Sequence, residues 1–249
     1  MVAQKSVIVV KVGTSTLLGT HDQPSATFDY VAQSIMELRS NYDVVLVTSG
    51  AIGFGVRQME LASRPTEPHK LQALSMIGQV GLLRRWREAF EGVTVGQVLV
   101  TRQDLERTRT AGLFRESVRS VWRYNALPIV NENDAVSTEE ISFGDNDRLA
   151  AEVAAVLGAE KLIILTDQDG IQSAFGTARQ QRLVQVRINE VDGHIQPTKS
   201  LLGKGGASSK VQAARIALDS GVEVYIAHAA RPSSVQAALA GKMGTKIVQ

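Results

Sequence analysis

Asn131-Glu132-Asn133-Asp134-Ala135-Val136 opens, and Gly144-Asp145-Asn146-Asp147 closes, the connection on which the reading of this chain turns. In front of it stands Leu127-Pro128-Ile129-Val130, a short apolar run with the length and composition of a buried strand. Behind it, Arg148 to Leu157 has helical spacing and stops at Gly158. Two clusters of carboxylates and amides therefore lie between a strand end and a helix start. Open α/β sheets bind their ligands there, outside the carboxyl ends of the strands. A polar turn with an N-capping Asp or Asn accounts for one such cluster, but two in a single connection point to a site.

The same alternation extends outward in both directions. Val7 to Val10 is a β-branched strand run that ends in Lys11-Val12-Gly13-Thr14-Ser15-Thr16, a lysine and a hydroxyl-rich turn able to cradle a phosphate. The glycine spacing fits neither the dinucleotide fingerprint nor the Walker loop. A helix over Phe28 to Arg39 precedes the strand Val44 to Val47, which breaks into the small-residue turn Thr48-Ser49-Gly50-Ala51-Ile52-Gly53. Glu67 to Phe90 reads as one long amphipathic helix, in which Gly78 and Gly81 mark either close packing against a partner chain or a bend.

Thr94 to Val100 reads as a strand and Leu113 to Tyr124 as a helix. The arginines from Arg102 to Arg123 are interrupted by Asp104, Glu106 and Glu116, as on a solvated or intersubunit face rather than a nucleic-acid surface. Past the central stretch, Leu162 to Leu165 is a strand leading into Thr166-Asp167-Gln168-Asp169-Gly170, and Leu183 to Ile188 is extended. Gly203-Lys204-Gly205-Gly206-Ala207-Ser208-Ser209-Lys210 then opens the helix Val211 to Leu218, an arrangement that offers backbone donors and a helix dipole to an anion. Lys210 falls about one turn inside that helix. A strand at Val222 to Ile226 and a short helix at Val235 to Leu239 follow. The expectation is an α/β fold: a single-domain three-layer α/β/α sandwich around a mostly parallel sheet.

At 249 residues, with 44% hydrophobic and 21% charged residues, the composition is that of a globular chain. A net charge of +2 gives no case for nucleic acid. With no cysteine, disulfides, thiolate metal sites and cysteine nucleophiles are excluded. The apolar run near the start is too short for a signal-peptide core and no later run is long enough to span a bilayer, so the expected location is the cytoplasm.

The motifs Lys11 to Ser15, Ser49 to Ile52, Asn131 to Val136, Gly144 to Asp147, Thr166 to Gln168 and Gly205 to Lys210, in that order, resemble the glutamate 5-kinases of the amino acid kinase family. The resemblance implies the amino acid kinase fold over residues 1–249, with an N-terminal part that binds the amino acid and a C-terminal part, from about residue 160, that binds ATP. It implies phosphoryl transfer from ATP, carried with Mg2+, to the γ-carboxylate of L-glutamate, the first step of proline synthesis. By the family pattern Lys11, Asp147 and Lys210 are catalytic, with Asp147 holding the two lysines. Ser49, Asp134 and Asn146 contact glutamate: Asp134 takes the ammonium, while Ser49 and Asn146 offer neutral donors to the carboxylates. The nucleotide falls to Lys11, Thr166, Asp167 and Lys204, Gly205, Gly206, Ala207, Ser208, Ser209 and Lys210. The metal is expected to ride on the ATP phosphates, without an assigned protein ligand.

Relatives imply a homo-oligomer, dimer or tetramer, and feedback inhibition by proline. Thr48, the segment Ile171 to Gly176, and Lys204 and Ala207 depart from the family pattern. Many members continue into a C-terminal PUA module, which this chain is expected to lack. The rival expectations are another acceptor on the same fold (N-acetylglutamate, aspartate, carbamate or UMP) and a non-catalytic sensor of glutamate, proline or nucleotide.

Overall fold

The run from Val7 to Val10 shows how the sheet is built. In the computed structural model, which describes residues 5–19, 26–137, 146–173, 180–194 and 207–249, it lies within strand β1 (Ser6–Val12). Successive side chains of a strand point to opposite faces. Accordingly Val7 and Val9 join one apolar layer, while Ile8, Val10 and Val12 join the other. An uninterrupted apolar strand of this kind needs helices on both faces.

In chain order the elements are β1, α1 (Thr14–Leu18), α2 (Thr27–Leu38), β2 (Tyr42–Thr48), α3 (Ala51–Gln58), α4 (Pro68–Ala89), β3 (Val95–Val100), α5 (Arg102–Glu106), α6 (Thr108–Arg123) and β4 (Leu127–Glu132). There follow α7 (Asn146–Leu157), β5 (Lys161–Thr166), β6 (Gln172–Ser173), β7 (Gln181–Arg182), β8 (Gln185–Arg187), a 3-10 turn (Val191–His194), α8 (Ala207–Asp219), β9 (Glu223–His228), α9 (Ser234–Leu239) and β10 (Thr245–Val248). The large sheet has the order β3-β4-β2-β1-β5-β9-β10-β8, and β6 and β7 form a separate antiparallel pair. The pairings from β3 through β9 are parallel; β10 runs antiparallel to β9. One face is covered by α6, α7 and α8 through Phe114, Val118, Leu149, Val153 and Val211. The other is covered by α2, α4 and α9 through Phe28, Ile35, Leu82, Trp86 and Val235. This is the expected three-layer α/β/α architecture.

Several boundaries differ from the sequence reading, for physical reasons. Strand β4 runs on through Asn131 and Glu132, both buried, instead of ending at Val130. Helix α7 begins at Asn146, so Asn146 and Asp147 belong to its first turn rather than to the preceding connection. Helix α6 starts at Thr108 instead of Leu113, and α3, α5 and β10 were not anticipated.

The glycines of α4 also have a different use. Helix α4 is one unbroken helix from Pro68 to Ala89. Gly78 lies against Ala51 and Gly55 of α3, where a Cβ would collide with backbone atoms, and Gly55 meets the Leu74 backbone in the same way. These glycines let two helices of one chain approach closely, which fixes the loop between them beside the strand ends.

Strand order reverses between β1 and β5: β2, β4 and β3 lie to one side, β5, β9 and β10 to the other. Open α/β sheets have their ligand crevice at such a point.

Candidate active site

Lys11 is the sixth residue of β1, flanked in register by Val47 of β2 and Ile164 of β5. An ammonium buried at this depth is tolerable only beside an opposite charge. Asp147, in the first turn of α7, supplies it: its Oδ1 forms an ion pair with Lys11 Nζ. Its Oδ2 takes Lys210 Nζ at 3.1 Å, from the first turn of α8, and accepts a hydrogen bond from Ser209 Oγ at 3.1 Å. The Asp147 carboxylate is wholly buried. The three residues assigned together from sequence are thus brought together from β1, α7 and α8, with each lysine on a different oxygen of one carboxylate. That splitting directs the two ammonium groups and limits their repulsion.

Beside this trio lies a cleft of about 430 Å³. It is lined by Ser49, Asp134 and Asn146, the three residues assigned to the amino acid, and by Asn131, Arg57 and Arg64, which were not. Ser49 Oγ is buried and has no hydrogen-bond partner among the described residues. An orphaned buried hydroxyl costs stability, and a ligand atom would satisfy this one. Arg57 Nη2 donates to the Leu18 carbonyl at 2.6 Å, tying α3 to α1 across the cleft.

Asn146 does not match the donor role expected of it. Its Nδ2 donates to the Thr48 carbonyl at 2.6 Å and to Asn131 Oδ1 at 2.6 Å, so both amide hydrogens are engaged within the protein. Asn131 Oδ1 also accepts from the Glu132 amide at 3.0 Å, and Asn131 Nδ2 donates to Gln79 Oε1 at 2.8 Å. Thr48 accepts from Trp86 Nε1 at 2.9 Å through its hydroxyl and stiffens the same corner.

On the other side of the sheet reversal, Thr166 ends β5, and its hydroxyl donates to Asp167 Oδ1 at 3.0 Å. The Ala229 amide donates to the Thr166 carbonyl at 2.8 Å, and Arg231 pairs with Asp169 at 2.9 Å, so the loops after β5 and β9 are linked. Ser208, Ser209 and Lys210 lie at the start of α8, and Ala207 is its first residue. Lys204, Gly205 and Gly206 lie outside the described residues, as do Gly144, Asp145 and the stretch Ala174 to Gly176. Of the unusual segment after Gly170, Ile171 is buried and its amide donates to Thr245 Oγ1 at 2.8 Å; Gln172 and Ser173 form β6. Among the described residues no group of three or more His, Cys, Asp or Glu side chains converges to hold a metal ion.

The contributions of Asn131, Arg57 and Arg64 were missed because each depends on tertiary placement. Only the buried amides left a trace in the sequence, as polar residues directly after an apolar run.

A sequence profile described as the amino acid kinase family matches residues 6–228. A protein of Gloeobacter violaceus named glutamate 5-kinase is 39% identical over 96% of this chain and 67% of its own length. One of Nocardia farcinica with the same name is 39% identical over 98% of this chain and 68% of its own length. A glutamate 5-kinase of Clostridium acetobutylicum is 34% identical over 92% of this chain and 89% of its own. Among solved structures, carbamate kinase from Giardia lamblia bound to AMP-PNP superposes with a TM-score of 0.68 at 18% identity, covering 100% of this chain and 99% of that one. N-acetylglutamate synthase from Neisseria gonorrhoeae, complexed with coenzyme A and L-arginine, gives 0.69 at 19% identity, over 98% of this chain and 61% of that one. At that identity these two structures establish the shared fold.

Proposed function

The chain belongs to the amino acid kinase family, among the glutamate 5-kinases, and from this premise we propose that it transfers the γ-phosphoryl group of ATP to the γ-carboxylate of L-glutamate. The product is L-glutamyl 5-phosphate, an acyl phosphate at the head of proline synthesis. The observation that carries this reading is the pair of lysines on one buried carboxylate, set beside a cleft lined by Ser49, Asp134 and Asn146.

A carboxylate oxygen of glutamate attacks the γ-phosphorus, the bond to the bridging oxygen of ADP breaks, and ADP leaves with the electron pair. The nucleophile is already ionised near neutral pH, so no general base is needed. What the transfer does need is neutralisation of two approaching anions and in-line placement. Lys11 and Lys210 perform the first task. Each ammonium carries three donors, so the contact with Asp147 does not exhaust it. Asp147 holds the pair in place before substrate arrives, which spares reorganisation during the reaction.

In the cleft Asp134 takes the ammonium of glutamate, and Ser49, whose hydroxyl has no partner among the described residues, donates its hydrogen to a carboxylate. ATP lies over the carboxyl ends of β5 and β9, against Thr166, Asp167 and the Lys204 to Lys210 segment that opens α8. The N-terminal part of the chain thus serves the amino acid, and the part from about residue 160 serves the nucleotide. Mg2+ accompanies the nucleotide's phosphates and offsets their charge. The described side chains form no cage for it.

We further propose a cytoplasmic homo-oligomer, dimer or tetramer, inhibited by free proline. No helix among the described residues is long and apolar enough to cross a membrane.

The test is incubation with Mg-ATP, L-glutamate and hydroxylamine, with aspartate and N-acetylglutamate as controls. Glutamate-dependent γ-glutamyl hydroxamate is expected; product with a control acceptor alone, or none with any, would refute the assignment. Asp134→Ala is expected to raise the glutamate KM sharply, and an unchanged KM would remove that residue from the substrate.

A further inference from the structure

We propose that Gln79, a residue of α4 that does not itself line the cleft, is a positioning residue that braces Asn131 and, through it, the Asn146 carboxamide, whose polarity the Thr48 carbonyl and the Glu132 amide set. With both its amide hydrogens held in this way Asn146 is able only to accept, so that it receives the α-ammonium together with Asp134. This inference rests on glutamate being the acceptor.

The orientation follows from backbone groups whose polarity cannot be exchanged, independently of how amide oxygen and nitrogen atoms are told apart. The Thr48 carbonyl only accepts, so the end of Asn146 at 2.6 Å from it is the NH2 group. The Glu132 amide only donates, so the atom of Asn131 at 3.0 Å from it is the oxygen. That oxygen takes the second hydrogen of Asn146 at 2.6 Å. The NH2 of Asn131 is thereby turned to Gln79, whose facing atom at 2.8 Å is an acceptor. All three side chains are at least nine-tenths buried: Gln79 is 9% exposed, Asn131 2% and Asn146 7%. In such surroundings an amide left without its partner is costly, and the relay is held in one direction.

With both hydrogens of Asn146 engaged, its carbonyl oxygen is the atom left to meet a ligand in the cleft. Glutamate near neutral pH has two carboxylates, which only accept, and one ammonium, which is its sole donor. The geometry therefore pairs Asn146 Oδ1 with the ammonium. A site built to receive a donor rejects an analogue that lacks it, because its own buried acceptors are left unmatched. Glutarate is that analogue: the same two carboxylates at the same spacing, without the ammonium.

The experiment compares wild type, Gln79→Met and Gln79→Glu. Its readout is the ratio of the competitive inhibition constant of glutarate to the glutamate KM, with the ATP KM and the melting temperature as controls. Methionine matches the length of glutamine but removes the acceptor, which leaves the buried NH2 of Asn131 unpaired and loosens Asn131 and, with it, Asn146. The ratio is expected to fall about tenfold, the scale of one hydrogen bond to a charged group, with the ATP KM little changed. Glutamate at position 79 keeps an oxygen facing Asn131 in either protonation state and is expected to retain the wild-type ratio.

If Gln79→Met melts too early to assay, Gln79→Asn, one methylene shorter, withdraws the acceptor and is held to the same expectation. A glutamate KM and a glutarate constant that rise in parallel, leaving the ratio unmoved, would overturn the proposal and make Gln79 a packing residue. A wild-type protein that forms no product from glutamate overturns the parent reading instead, and is recognised before any variant is made.

Discussion

Two charged clusters sit at opposite ends of the same sheet. At the carboxyl end, Lys11 and Asp147 are buried and Lys210 is partly buried, with side-chain exposures of 5%, 0% and 19%. At the amino end, Glu223 opens β9 in register with Lys161 of β5, and Lys246 Nζ lies 2.8 Å from Glu223 Oε1 with side chains 32% and 42% exposed. Tyr225 OH donates to the second oxygen of Glu223 at 3.0 Å, and Lys246 lies 5.5 Å from the centre of the Tyr225 ring. The hydrogen bond from Lys246 holds the Glu223 carboxyl below its ordinary range, aided by Tyr225 and opposed by burial; the same bond raises the Lys246 ammonium. Both clusters place two lysines around one carboxylate. Their exposure separates them, because water screens the outer cluster while the inner one must be fully compensated by the protein. A wholly buried aspartate between two lysines is a costly arrangement, and its place at the sheet reversal accounts for its presence.

The sharpest way to break this contrast is Asp147→Ala. Removing the carboxylate strands two lysines, and the expected loss is about 3–5 kcal/mol of stability, read as a lower denaturation midpoint at unchanged slope, with phosphorylation abolished. A loss no larger than that of an exposed pair would erase the distinction.

Ser49→Ala addresses the neighbouring cleft. Its buried hydroxyl has no hydrogen-bond partner among the described residues, so the apoprotein is expected to be no less stable. The glutamate KM is expected to rise by the equivalent of about 1–1.5 kcal/mol, and an unaltered KM in steady-state kinetics would place the substrate carboxylates elsewhere.

Glu223→Gln is expected to have the smallest effect, below about 1 kcal/mol and weaker in high salt. Its sign is fixed by linkage. A carboxyl whose folded pKa is depressed contributes stability above its unfolded pKa and loses it as pH falls through the folded value. The difference between wild type and variant is therefore expected at neutral pH and absent after full acidification, as melting curves at the two conditions would register. A difference that grew on acidification would contradict this account of the outer cluster.

Much of this arrangement was legible from residue order. The strands β1, β2 and β5 are apolar on both faces, so their runs stand out whatever packs on them. Lys11, Asp147 and Lys210 lie near strand ends and helix starts, beside glycines and Asx residues, but it was the resemblance to the family that singled them out as one group. Helix α3 was hidden because Gly53 and Gly55 weaken helix propensity and read as a turn, although Gly55 serves the contact with α4. Asn131 and Glu132 looked like loop because polar residues seldom continue a buried strand; here the site at the strand end overrides the pattern. Gln79 could not be found at all. It meets Asn131 across 52 residues of chain, and nothing in α4 separates it from an ordinary polar position. Likewise, the expected donor role of Asn146 rested on its residue type, whereas its polarity is set by the Thr48 carbonyl and by Asn131.

The central claim is that the two lysines on Asp147 act on the phosphoryl group as it moves rather than on glutamate as it binds. Lys210→Ala tests it most directly, by measuring the maximal rate of γ-glutamyl hydroxamate formation together with the glutamate dissociation constant from calorimetry. The account predicts a rate reduced by about 10²–10³-fold, the scale of losing one preorganised charge-stabilising group, with glutamate affinity within about threefold of wild type. A rate and an affinity that fall by the same factor would contradict it.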